Sequence, residues 1–245
     1  MKKWLEKVDW IYVIVPLALL GTFWVIAAFA GQWPWQSNPY NSYALQTDSW
    51  LKGRLDLGQN YEWLELAIYQ GKYFVSFPPF PSYVLIPFVV LFGTNTPDHF
   101  IALAVTIIGC IYAVKLYREA SAEKQHSLFW VLMLYFASGY LFVGMNGYVW
   151  FIAQSMSFTL SLMALYYTLR NKGGLALTFW ACAVGCRPML ALYGILLGYL
   201  LVKGYKKENP KGTVWQLVKD KWYWAIGCGA IAISYMGLNL SLIHI

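Results

Sequence analysis

The sequence predicts an all-α polytopic membrane protein of about seven transmembrane helices, with a long external loop of juxtamembrane amphipathic helices between the first and second. Three observations predict it. The chain is 59% hydrophobic and only 12% charged, far from the balance of a water-soluble domain. Its apolar residues fall into runs near 20 residues, the length needed to cross roughly 30 Å of hydrocarbon. Its 13 Trp and 19 Tyr gather at run ends and in the loop, where amphipathic rings suit a membrane interface.

The first span is expected at 11–30. It is too long for a cleaved signal and has no small-residue cleavage site, so it is expected to stay as an anchor. Further spans are expected at 98–117, 127–145, 149–169, in two shorter runs within 173–203 broken at Arg187-Pro188, and at 222–240. Between the first and second lies an external loop, 31–97, with most of the ionisable residues found outside the short connections. In it, Ala44, Leu45, Trp50 and Leu51 recur at helical spacing with Gln46, Asp48, Ser49 and Lys52 between them, which predicts an amphipathic surface helix. A second is expected over 61–68, then a turn at Gln70-Gly71-Lys72, an extended piece over 73–76 and a rigid re-entry at Pro78-Pro79-Phe80-Pro81.

The apolar segment 81–93 reaches only about 20 Å as a helix and carries Pro87 in its middle. Basic residues decide whether it crosses, because they collect in cytoplasmic loops. With the N-terminus inside and 81–93 not crossing, 14 of the 18 Lys and Arg lie inside; with a crossing only four do. The segment is therefore read as re-entrant, and the N-terminus as cytoplasmic in a multi-pass protein of the cell membrane. The same logic sets nucleic acid aside as the partner of the +7 net charge. The four cysteines, Cys110, Cys182, Cys186 and Cys228, lie in apolar runs without a nearby His and read as small buried residues.

One anchor helix, then a loop of the form YALQTDSWLKGRLDL…LAIYQGKYFVSFPPFPSYVLIPFVVLFG, then a bundle with a GCRP hairpin, resembles the GT-C superfamily of polyprenyl-phosphate-sugar-dependent membrane glycosyltransferases. Within it the chain is similar to bacterial proteins related to protein O-mannosyltransferases and to the lipid A aminoarabinose transferase. The resemblance covers residues 1–239, and GKYFVSFPPFP followed by LFG carries most of it. It implies an inverting transfer at the outer face: a loop carboxylate takes a proton from an acceptor hydroxyl while the sugar leaves polyprenyl phosphate. Asp48 is the candidate catalytic base. Lys72, Arg187 and, more weakly, Arg54 are the candidate contacts to the donor phosphate. The implied partners are membrane lipids and the polyprenyl-phosphate-linked sugar, which is the donor substrate; a divalent metal is the one cofactor left open.

This chain departs from those relatives at three places. They carry an acid near the start of the first loop helix, where Asn38-Pro39-Tyr40-Asn41 stands here, so Asp48 is a displaced substitute. They have an Asp after the turn that here reads Asn146-Gly147-Tyr148, and a Lys before the Pro-Pro pair where this chain has Phe77. A non-catalytic protein of the same fold is thus one competing reading. A lipid or solute transporter is another, although no spanning run except at the Arg187 tip carries an ionisable residue in its middle, whereas coupled transporters line their paths with such groups. Family members also continue beyond this length. The closing Leu240-Ser241-Leu242-Ile243-His244-Ile245 is what a transposon-end sequencing adapter encodes in frame, so native sequence is expected to end near Asn239 in an N-terminal fragment.

Overall fold

The computed structural model describes residues 9–31 and 33–243, the last five as backbone alone. The expected adapter-derived residues 240–245 and the basic Lys2, Lys3 and Lys7 therefore lie outside the residues whose side chains are described. The order is α1 (Ile11–Ala30), α2 (Ser42–Leu51), a hairpin of β1 (Leu66–Tyr69) and β2 (Lys72–Val75), α3 (Phe80–Phe92), α4 (Asp98–Ala120), α5 (Ser127–Phe136), α6 (Tyr140–Met145), α7 (Val149–Leu169), α8 (Gly173–Val184), α9 (Tyr193–Glu208), α10 (Val214–Asp220) and α11 (Ala225–Ile243).

Four helices among the described residues are long and apolar enough to cross a membrane, rather than seven: 11–30, 98–120, 149–169 and 188–208, the last combining a short 3₁₀ turn with α9. The difference has local causes. The expected span 127–145 breaks at Ala137-Ser138-Gly139, where the Ser138 hydroxyl donates back to the Leu134 carbonyl (2.6 Å) and accepts the Tyr140 N–H (3.1 Å). Such side-chain bonds offer the backbone an alternative to the helical ladder. Helix α8 has 12 residues, about 18 Å at 1.5 Å per residue, and gives way to the Arg187-Pro188 tip. The last apolar helix, α11, has 19 residues, Ala225–Ile243, and over the residues whose side chains are described it is a shorter apolar helix, Trp222–Leu238.

Side chains sort the two ends of the bundle. At one end Arg118 pairs with Asp9, Arg170 with Glu119 (3.6 Å), and Asn171 donates to Glu208 (2.7 Å). At the other end Asn38, Tyr40, Asp98 and Gly147 meet. The chain thus returns at Asp98 to the place it left at Asn38, and everything between is one excursion at that end. Only one stripe of α1 is buried, Ile11, Val15, Leu19, Phe23 and Ala27 at four-residue steps, while Leu17, Val25 and Phe29 face outward. Helices α4 and α7 form the centre of the bundle. They approach through small residues and polar bonds: Thr159 donates to the Val105 carbonyl (3.1 Å), the Thr106 and Ser155 hydroxyls meet at 3.2 Å, and Gly109 sits under Thr159 with no room for a Cβ. Close backbone approach of this kind holds helices together where burial of apolar surface from water is not available.

Candidate functional site

Helix α2 begins at Asn41, whose side chain accepts the Ala44 N–H at 3.1 Å and so satisfies one of the free donors of the first turn. Its inner face is polar, contrary to the expectation of a surface helix with polar residues outward. Gln46, Thr47 and Ser49 are buried, whereas Leu51 is half exposed. The cause is Ser82 on α3. Its hydroxyl lies 2.6 Å from Gln46 Oε1, and its carbonyl accepts the Thr47 hydroxyl at 2.9 Å, so α2 and α3 are joined by hydrogen bonds that need those side chains inside. The second expected helix, 61–68, is replaced at its end by the β-hairpin. Strand register pairs Tyr69 with Lys72 across the two-residue loop Gln70-Gly71, both with positive φ (47° and 74°), the geometry that matches strand twist.

Beneath the hairpin lies a cavity of about 350 Å³. Gln46 and Trp50 of α2, Phe74 to Pro79 of the hairpin and its exit, Gly185 and Pro188 of the tip after α8, and Tyr235 of α11 wall it. The tip is fastened to the loop by the Phe80 N–H, which donates to the Gly185 carbonyl at 3.1 Å. Among the described buried polar atoms without a hydrogen-bond partner, Tyr235 Oη belongs to a wall residue, Tyr43 Oη to α2 and Arg187 Nε to the tip. Burial pushes the Tyr43 pKa upward, which keeps its hydroxyl protonated. Arg187 makes one side-chain bond, from Nη2 to the Trp150 carbonyl at 2.7 Å. An apolar wall with few polar groups, next in the chain to a partly unsatisfied guanidinium, suits a ligand that has an anionic head and an apolar tail.

A second polar cluster closes the same end of the bundle. Asp98, fully buried at the start of α4, accepts the Asn38 backbone N–H (3.1 Å) and side-chain amide (2.7 Å) on one oxygen and the Asn41 amide on the other. The Asn38 amide also reaches the Gly147 carbonyl at 3.2 Å, and the Gly147 N–H donates to His99 Nδ1 at 3.2 Å. Both carboxylate oxygens are thus bonded to amides of the loop. This cluster ties 38–41, the start of α4 and the turn before α7 into one unit; it contains the two stretches where the resembled relatives place acids.

The sequence-predicted site residues are distributed as follows. Arg187 lies between two residues that wall the cavity. Asp48 is half-buried and paired with Lys52 at 2.6 Å. It stands two residues from both Gln46 and Trp50, and at 100° per residue that puts it on the opposite face of α2 from the cavity. Lys72 is exposed at the first position of β2. Arg54 is exposed too, its guanidinium lying across Gly58 in the connection that follows α2. Sequence reasoning missed a different acid: Glu65, whose Oε2 accepts the Trp150 indole N–H at 3.3 Å, on the residue whose carbonyl holds Arg187. Its signal in the sequence was weak, one loop carboxylate among four. Among the described residues no group of three or more His, Cys, Asp or Glu is placed to hold a metal ion. Comparison of the chain with models of protein families, with curated proteins and with solved structures gives no match.

Proposed function

We propose that this chain is a membrane glycosyltransferase of GT-C type, or a fragment of one, that transfers a sugar from a polyprenyl-phosphate donor to an acceptor at the outer face of the membrane. One observation carries the reading: Arg187, with a buried Nε that has no hydrogen-bond partner, falls in the chain between Gly185 and Pro188, two walls of a largely apolar cavity enclosed by the loop and the tip. A phosphate ester on a lipid chain satisfies both halves of that environment. The guanidinium takes the phosphate oxygens, and the aromatic and proline wall of Phe74, Phe77, Pro78 and Pro79 takes the first isoprene units. Leaving-group charge grows on the phosphate as the sugar departs, so a fixed cation there favours the transition state over the bound donor. The direct test is transfer by the purified chain in lipid nanodiscs, with a radiolabelled polyprenyl-phosphate sugar and a hydroxyl-bearing acceptor lipid or peptide. Label moving from donor to acceptor is the expected result; unchanged donor, together with no saturable donor binding, sinks the reading.

The reading requires the Asn38–Asp98–Gly147 end of the bundle outside and the end with Arg118 and Arg170 inside, with the N-terminus cytoplasmic. Support comes from the basic residues Lys115, Arg118, Lys124, Arg170, Lys172, Lys203, Lys206 and Lys207, which flank the second end in the chain. Ser42 is only 1% exposed, so a labelling probe belongs elsewhere in the loop, for example at the exposed Gln59. In intact cells a membrane-impermeant thiol reagent is expected to modify Gln59→Cys and to leave Lys206→Cys untouched. The reverse pattern inverts the topology and removes the external site.

A further inference from the structure

Three elements that the chain order keeps far apart meet on Trp150, at the start of α7. Its indole N–H donates to Glu65 Oε2 (3.3 Å), and its backbone carbonyl accepts from Arg187 Nη2 (2.7 Å). Its ring stands perpendicular to Phe77, a wall of the cavity, at 6.4 Å between centroids. Glu65 is held from its other side as well, because its carbonyl accepts the Ser76 hydroxyl at 2.8 Å, locking the chain before β1 against the exit of β2. A carboxylate and a guanidinium are therefore both fixed to one tryptophan, whose ring meets a wall of the cavity at Phe77. Glu65 itself is exposed, so a water-borne or lipid-borne hydroxyl can reach it.

We propose that Glu65 is the general base of the transfer, in place of Asp48; this rests on the glycosyltransferase reading above. The acceptor O–H proton passes to the Glu65 carboxylate as the acceptor oxygen bonds to the anomeric carbon. The bond from that carbon to the donor phosphate oxygen breaks, and its electron pair leaves with polyprenyl phosphate at Arg187. Asp48 stands on the far face of α2 from the cavity, paired with Lys52. The Trp150 indole bond fixes the carboxylate rotamer and leaves its second oxygen free for the acceptor.

The experiment compares Glu65→Gln, Glu65→Asp, Glu62→Gln and Asp48→Asn in the nanodisc transfer assay, with donor binding measured on each. Glu65→Gln keeps an acceptor for the indole and the side-chain volume, so its fold and donor affinity are expected to stay within about twofold of the parent. Its transfer rate is expected to fall on the order of 10²-fold, the usual contribution of a positioned base. Glu65→Asp is expected to recover part of that loss, and Glu62→Gln, an exposed acid three residues away, to behave as the parent. A parent that transfers sugar while Glu65→Gln does so equally well overturns the proposal and leaves the glycosyltransferase reading standing. Loss of transfer in Asp48→Asn with retention in Glu65→Gln overturns it too. A parent that neither transfers nor binds donor removes both.

Discussion

Replacing Arg187 with Gln is expected to lower sugar transfer on the order of 10³-fold, the upper range seen when a preorganised group that stabilises developing charge is removed. Two features of the site set that size. The guanidinium is partly buried at the tip, where a charge interacts with a phosphate far more strongly than in water. Its Nη2 is spent on the Trp150 carbonyl and its Nε is buried without a partner, leaving the other terminal nitrogen for the ligand. Arg187→Lys is expected to restore little, because a single ammonium cannot hold the carbonyl and grip a phosphate at the same time. A structural role makes a different prediction, since losing the bond to Trp150 alone costs about 1 kcal/mol of stability. The discriminating measurement is donor affinity and transfer rate against thermal unfolding in the same nanodiscs. Transfer within about threefold of the parent, at any stability, excludes Arg187 from the donor site.

How far the sequence carried these conclusions depends on the type of interaction. Helix α7 was legible to the residue, because Gly147-Tyr148 precedes the run and Arg170-Asn171 follows it, and nothing inside interrupts the apolar pattern. The start of α4 at Asp98 was legible for the same reason. The break in 127–145 was not, because apolar length was counted while Ser138, bonding to its own backbone, ended α5. The inward polar face of α2 was missed because the partner that reverses it, Ser82, lies 36 residues from Gln46. Glu65 was assigned to a helix, yet the turn at Gln70-Gly71 makes the neighbouring backbone extended and carries its side chain to Trp150. Apolar periodicity is a local signal; a hydrogen bond between short polar groups has no period, so the cluster joining Asn38 to Asp98 left no trace in it.

That cluster supports the second large effect. Asp98→Ala is expected to destabilise the protein by about 4 kcal/mol, because it strips a buried cluster of its acceptor. The alanine leaves the Asn38 N–H, the Asn38 amide and the Asn41 amide without their acceptor, at about 1–3 kcal/mol for each donor that stays buried. Asn41 also caps α2, so the damage reaches the helix that walls the cavity. Asp98→Asn is expected to cost about half as much, since its amide offers one oxygen and turns two donors toward donors. Gly147→Ala reports on the same unit from the other side: a Cβ there would stand 2.5–2.6 Å from backbone atoms of Asp98 and His99, which no rotamer change can relieve. Thermal unfolding in detergent and limited proteolysis at the exposed 52–54 and 58–60 stretches measure the three variants together. The expected order of loss is Asp98→Ala, then Gly147→Ala and Asp98→Asn, each with faster cleavage in the loop while the Arg118–Asp9 end of the bundle keeps its protection. An Asp98→Ala protein that melts within 1 kcal/mol of the parent, with its loop uncut, means that Asn38 and Asn41 find other acceptors and that the loop is held to the bundle by α3 and the tip instead.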